Sequence, residues 1–127
     1  MKAAGHELNG LKAYHAINNK IKLDSGEKLH FPFMALISYR GYRLIASPKL
    51  PLSSNSLIYG SNDAGRTVHS SNSNMNLLMK KAAAELRIKE HRCGTSDLDS
   101  QLVSLNGPAD IEGHIGSDGR FYLLDTV

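Results

Sequence analysis

Two segments of the chain place apolar residues at the spacing of an α-helix. The first stripe consists of Leu8, Leu11, Tyr14 and Ile17. The second stripe consists of Met75, Leu78, Met79, Ala82 and Leu86. An apolar residue at every third or fourth position lies on one face of a helix. The pattern therefore predicts a short helix over 6–18 and a longer helix over 73–89, which Ser71 or Ser73 is expected to cap.

The strongest strand signal lies within 33–46, where two apolar runs flank Arg40 and Gly41. A tight reversal at this pair would join the two runs into a β-hairpin. Glycine suits such a turn because it accepts a positive φ at little steric cost.

Further short strands are separated by turn residues. They are expected near 57–59, 67–69, 102–105, 109–115 and 120–124. The turn at 116–119 ends in Asp-Gly, a strong hairpin signal, whereas the polar segments 19–30 and 93–101 predict connections. We interpret the glycine-containing segment 60–65 as a turn rather than a phosphate loop, because no Gly-Lys-Ser/Thr motif ends it.

These elements together predict one α+β domain over residues 1–127. Its centre would be a mainly antiparallel sheet of five to seven short strands, with the long helix at about 73–89 and the short N-terminal helix packed on it. A length of 127 residues and a hydrophobic fraction of 41% suit a single packed domain.

Charge and cysteine content bear on the kind of partner and on the cellular compartment. The net charge of +3 and the pI near 9.1 arise from scattered Lys and Arg residues, so an anionic partner is permitted but not required. Cys93 is the only cysteine, which indicates a reducing compartment and a structural residue rather than a nucleophile. Because no apolar run has the length of a signal peptide or a membrane span, we expect a cytoplasmic protein.

No motif for metal binding or catalysis is complete. The six histidines are His6, His15, His30, His69, His91 and His114. None forms a helical metal-binding pair, and the chain has neither a Cys-x-x-Cys nor a Gly-x-Ser-x-Gly motif. We therefore expect no cofactor and no catalytic residue, and a binding protein is favoured over an enzyme.

Acidic residues near the C-terminal end leave an alternative open. Asp110 and Glu112 would share one face of a strand, and Asp118 is expected in a turn. Asp125 follows an apolar strand and so resembles the metal-binding aspartate of kinase-like phosphotransferases. In this alternative the chain is a nucleotide-binding fragment in which Asp125 meets magnesium and 118–120 shape the turn beside it.

Three motifs occur in series, namely Ser-Tyr-Arg-Gly-Tyr-Arg at 38–43, Ile-Tyr-Gly-Ser-Asn-Asp-Ala-Gly-Arg-Thr-Val at 58–68 and Gly-His-Ile-Gly-Ser-Asp-Gly-Arg-Phe-Tyr-Leu-Leu-Asp at 113–125. Together with Leu-Arg-Ile-Lys-Glu-His at 86–91, they resemble the Clu domain of the clustered mitochondria family, which is related to a translation initiation factor subunit. The resemblance implies a larger multidomain cytoplasmic protein that affects mitochondrial distribution and associates with messenger RNA and ribosomes. It implies no catalytic residues.

The leading hypothesis is a non-catalytic module for binding or assembly. Its partners would be RNA, ribosome-associated proteins or the remainder of its own longer chain. The expected contact residues are Tyr39, Arg40, Tyr42 and Arg43, followed by Arg66, Asp118 and Arg120. Tyrosine and arginine are the side chains that most often anchor interfaces and RNA stacking.

The hairpin pattern also predicts how these side chains are distributed over its two faces. Regular alternation through the turn would place Tyr39 and Arg43 on one face of the hairpin, and Arg40 and Tyr42 on the other.

Two hypotheses compete with a contact surface at the hairpin. The tyrosines could instead pack within the sheet while the arginines pair with nearby carboxylates. A pure scaffold domain without a ligand is a further hypothesis, and the sequence leaves the oligomeric state open.

Overall fold

The computed structural model describes residues 4–95 and 102–127. Its helices are α1 (Ala4–Ile21) and α2 (Ser73–Leu86). Its strands within these residues are β1 (Leu29–His30), β2 (Ala35–Tyr39), β3 (Tyr42–Ala46), β4 (Leu57–Gly60), β5 (His69–Ser70), β6 (His91–Cys93), β7 (Val103–Leu105), β8 (Glu112–Ile115) and β9 (Phe121–Leu124). The connection predicted at 93–101 falls mostly outside the described residues.

Helix α1 confirms the predicted N-terminal helix but is longer than expected. It has 18 residues against 14 for α2, so the N-terminal helix is the longer of the two. Its buried side chains are Leu11, Tyr14 and Ile21. Near its end the Asn18 amide donates to the carbonyl of Leu29 at 2.8 Å and accepts from the Leu29 N–H at 3.3 Å. This pair of bonds ties the last turns of the helix to β1.

Helix α2 confirms the second apolar stripe and corrects its ends. Asn72, not Ser71 or Ser73, is the N-cap residue, because its side chain accepts a hydrogen bond from the N–H of Met75 at 2.9 Å. The helix stops at Leu86 rather than at 89, since Arg87 takes a left-handed conformation with φ 57°.

The main sheet has five strands in the order β1-β9-β8-β4-β5. The pairs β9-β8, β8-β4 and β4-β5 are all antiparallel. The pairs β8-β9 and β4-β5 confirm the hairpins that were predicted across 116–119 and 60–65. Strand β1 pairs with β9 in parallel and was not predicted, because two residues inside a polar connection give no periodic signal. Asp110 lies in the turn before β8, so the prediction that it shares a strand face with Glu112 is wrong.

The core lies between the helices and this sheet. Its fully buried side chains include Ile21, Leu29, Tyr59, Met75, Leu78, Met79, Leu105, Ile111 and Leu123. The hydroxyl of Tyr59 accepts a hydrogen bond from the N–H of Asn106 at 2.7 Å, and burial raises the pKa of Tyr59 to about 12. The α+β class is confirmed.

Two separate ribbons complete the described strands. Strands β6 and β7 form an antiparallel pair, of which only β7 was predicted. Strands β2 and β3 form the predicted hairpin, with Arg40 and Gly41 as its two-residue turn at φ 47° and 81°. Positive φ at both turn residues is the geometry that matches the twist of a tight hairpin. The nine described strands therefore form one sheet of five strands and two separate ribbons, where a single sheet of five to seven strands was predicted.

Candidate interaction surface

The β2–β3 hairpin exposes apolar side chains on both of its faces. The apolar face consists of Ala35, Ile37, Tyr39, Tyr42, Leu44 and Ala46. The mixed face consists of Leu36, Ser38, Arg43 and Ile45. Tyr39 is 58% exposed, Tyr42 is 72% exposed and Leu44 is 50% exposed. A stable sheet usually buries at least one face, so this hairpin has the surface of an element that meets another molecule or segment.

The register of the hairpin shows that the expected distribution of the tip side chains over its two faces is wrong. Tyr39 is paired with Tyr42, so the two rings share the apolar face, whereas Arg43 is paired with Ser38 on the mixed face. A two-residue turn occupies Arg40 and Gly41, and alternation does not run through it. The Arg40 guanidinium carbon lies 5.3 Å from the centre of the Tyr39 ring, which is a cation–π contact.

The hairpin tyrosines differ from the buried tyrosines of the core. Tyr14 is 2% exposed and burial raises its pKa to about 12. Tyr39 and Tyr42 keep more than half of their surface in water. Neither Arg40 nor Arg43 forms an ion pair with a carboxylate among residues 4–95 and 102–127. The geometry at the tip thus differs from the alternative in which tyrosines are packed and arginines are paired.

Arg66 lies in the loop between β4 and β5, which belong to the five-stranded sheet and not to the β2–β3 ribbon. This loop is held by its own side chains, since Ser61 Oγ accepts from the N–H of Gly65 at 2.9 Å and Asp63 accepts from the N–H of Thr67 at 2.8 Å. The bond from Thr67 is the largest cause that lowers the pKa of Asp63 to about 2. Arg66 itself is exposed.

Asp118 and Arg120 form a turn that is stabilised internally. The Tyr122 hydroxyl donates to Asp118 Oδ2 at 2.7 Å, the Arg120 N–H donates to Asp118 Oδ1 at 3.2 Å, and the Arg120 guanidinium is 3.8 Å from Oδ2. The tyrosine hydroxyl is the main cause that lowers the pKa of Asp118. These contacts occupy the Asp118 carboxylate and hold the β8–β9 hairpin closed.

Asp125 lines an open cavity of about 450 Å³ together with two other acidic residues. The lining residues are Ser61, Asn62, Ala64, Asp110, Glu112 and Asp125. Asp125 has a φ of 50° directly after β9. Across the described ranges, no group of three or more His, Cys, Asp or Glu side chains has an arrangement that could hold a metal ion.

A buried polar contact that sequence reasoning missed joins two distant segments. His114 Nδ1 lies 2.9 Å from Ser56 Oγ, and His114 Nε2 lies 3.1 Å from Glu112 Oε2. Ser56 is 4% exposed and its hydroxyl also donates to the carbonyl of Ser53 at 2.7 Å. Because the serine is enclosed by these bonds, the cluster fastens the 50–56 segment to β8 and does not present a nucleophile.

Cys93 is buried in β6, and burial raises the pKa of its thiol, which disfavours the reactive thiolate. Of the helices in the described residues, none combines the length and the hydropathy needed to cross a membrane.

These features define an α+β domain whose distinguishing surface is an exposed, aromatic and basic hairpin. A family model described as clustered mitochondria matches residues 1–127. The chain is 32% identical to a clustered mitochondria protein homolog of Brugia malayi, 35% identical to one of Xenopus tropicalis and 34% identical to one of Homo sapiens. The chain therefore belongs to the clustered mitochondria family.

The aligned region is a small part of each relative. The matches cover 98%, 96% and 98% of this chain, but only 8%, 9% and 9% of the three relatives. The chain thus spans less than a tenth of the length of these curated relatives. No solved structure matches the chain.

Proposed function

We propose that this chain is a non-catalytic binding and assembly module of a clustered mitochondria protein, and that it acts through the tip of the β2–β3 hairpin. In this proposal it is one domain of a longer cytoplasmic polypeptide that influences mitochondrial distribution by contacting RNA or ribosome-associated proteins. The exposed hairpin is the observation that carries the proposal, because its aromatic and basic side chains are not used by the rest of the described fold.

The side chains at the tip have the chemistry that single-stranded RNA requires. Exposed aromatic rings stack on bases, and Tyr39 and Tyr42 lie side by side on one face. Arginine binds phosphate oxygens, and Arg40 and Arg43 have no carboxylate partner among the described residues. The guanidinium of Arg40 over Tyr39 is itself a flat surface on which a base can stack. These observations support RNA as the preferred partner.

Reversal of the two tip charges tests the proposal. The variant carries Arg40→Glu and Arg43→Glu, and its control carries Lys12→Glu and Lys89→Glu, which change the net charge equally at exposed sites outside the hairpin. Binding to single-stranded RNA is measured by fluorescence anisotropy, and partners are recovered from cytosolic extract with and without RNase. We expect the hairpin variant to bind at least about tenfold more weakly and with a smaller salt dependence.

The control separates a specific contact from general charge. Equal weakening in both variants would contradict a contact at the hairpin and leave only non-specific attraction. Recovery of protein partners that resist RNase would favour a protein-binding module. If neither RNA nor protein is retained by the unaltered chain, the pure scaffold hypothesis is preferred.

A further inference from the structure

Exposed apolar side chains are concentrated on the hairpin and its approach. Of the ten large apolar side chains that are exposed in residues 4–95 and 102–127, seven lie between Phe33 and Ile45. Four of these seven, Ile37, Tyr39, Tyr42 and Leu44, stand together on the apolar face. Contiguous apolar patches of this kind often mark an interaction site, so this face is expected to be covered.

The two faces of the hairpin differ in charge. All six side chains of the apolar face lack a formal charge, because Arg43 projects from the mixed face and Arg40 lies in the turn. At the tip the Arg40 guanidinium lies over the Tyr39 ring, whereas Ile37 and Leu44 are paired with each other farther from the turn. RNA bound at the tip through the tyrosines and arginines therefore leaves Ile37 and Leu44 uncovered, and a second occupant is needed for this part of the face.

We propose that the apolar face packs against the same face of a second copy of this chain to form a symmetric dimer. A two-fold interface requires one patch that is complementary to itself, and an uncharged apolar sheet face can meet this requirement. Two sheets can pack face to face with interdigitated side chains about 10 Å apart. Ile37 and Leu44 would lie at the centre, with the tyrosine rings towards the tips.

The exposed area is consistent with such an interface. Aromatic side chains have roughly 150–250 Å² of surface each, so Tyr39 and Tyr42 at 58% and 72% exposure, together with the smaller Ile37 and Leu44, offer on the order of 500 Å². Two copies would bury on the order of 1,000 Å², which is the lower limit for a specific interface. A weak dimer with a dissociation constant in the micromolar range is expected.

The dimer goes beyond the proposed RNA contact, and the two contacts share Tyr39 and Tyr42 at the tip. Arg40 and Arg43 stay outside the interface, so both copies keep their cations available. Failure of one proposal does not imply failure of the other, because charge reversal at the arginines and apolar substitution on the face are measured separately.

The hairpin offers a matched pair of variants for the test. Ile37→Thr with Leu44→Thr alters the apolar face, and Leu36→Thr with Ile45→Thr makes the same chemical change on the mixed face. Threonine retains a high strand propensity, and all four side chains are exposed. Molar mass is measured by sedimentation equilibrium over a range of concentrations, and RNA binding is measured on the same samples.

We expect the unaltered chain and the mixed-face control to dimerise. The apolar-face variant is expected to have a dissociation constant for the dimer at least about tenfold higher. A second variant, Leu44→Lys, would place like charges against each other and should also dissociate. Circular dichroism confirms that each variant is folded. A monomeric unaltered chain at every concentration, or equal weakening by both pairs of substitutions, would overturn the proposal.

Discussion

At the residue scale, the structure assigns local roles to several polar side chains that sequence alone placed among candidate sites. Asp118 holds the β8–β9 turn through Tyr122 and its own neighbours. His114 joins Ser56 to Glu112 in a buried cluster. These carboxylates and this imidazole have partners within the fold, whereas Arg40 and Arg43 lack ion pairs among the described residues. These two arginines are therefore available to an anionic partner.

The lowered pKa of Asp63 predicts that the free energy of unfolding depends on pH in acid. Its folded pKa of about 2 is below the ordinary value of 3.8, so the folded state binds fewer protons between these values. The stabilisation from this carboxylate is present above pH 3.8 and is lost as the pH falls towards about 2. We expect Asp63→Asn to reduce the loss of stability over this window in urea unfolding experiments. An unchanged acid profile would contradict the lowered pKa of Asp63.

At the element scale, helix ends and turns are decided by single residues with identifiable bonds. Helix α2 begins at the Asn72 cap and ends at Arg87, and the hairpin reverses over Arg40 and Gly41. The cap was assigned to the wrong residue from sequence because serine and asparagine both occur at 70–74 and all cap well. Only the observed side-chain bond separates them.

Replacing the cap should weaken helix α2. Asn72→Ala removes the acceptor of the Met75 N–H, and we expect a loss of about 1 kcal/mol in the free energy of unfolding. Ser73→Ala is the control, because Ser73 is exposed and is not the cap. Chemical unfolding followed by circular dichroism measures both. An equal loss in the two variants would mean that the cap assignment is wrong.

At the scale of the whole molecule, the five-stranded sheet and two helices form the core, and the β2–β3 hairpin lies outside the sheet. This division suits a domain that is stable through its core and interacts through an appended element. The nucleotide-binding alternative places function elsewhere, at the acidic cavity beside Asp125. The two interpretations therefore predict different responses to ligands.

Titration with ATP and magnesium distinguishes them. For a binding module that acts through the hairpin, we expect no magnesium-dependent heat of binding in calorimetry, and no difference between the unaltered chain and Asp125→Asn. Asparagine tolerates the positive φ at this position, so the substitution should not disturb the fold. A magnesium-dependent signal that Asp125→Asn abolishes would instead support the phosphotransferase-like alternative.

Much of the local structure follows from the sequence by itself. The apolar stripe of α2, the reversal at Arg40 and Gly41, and the turn at 116–119 each depend on residues that are close in the chain. The same is true of the residues proposed for the hairpin tip, whose types indicate a contact surface without its geometry. Short-range patterns determine these features because their hydrogen bonds and side-chain spacing are local.

The way these elements meet depends on long-range packing. The parallel pairing of β1 with β9 and the bond between Ser56 and His114 join residues that are far apart in the chain, for which neither segment has a local signal. The shared face of Tyr39 and Tyr42 required the observed register, and their exposure required knowing that no described segment covers them. The sequence determined the hairpin and its chemistry, whereas packing determined that its apolar face remains open, because burial depends on contacts from the whole chain.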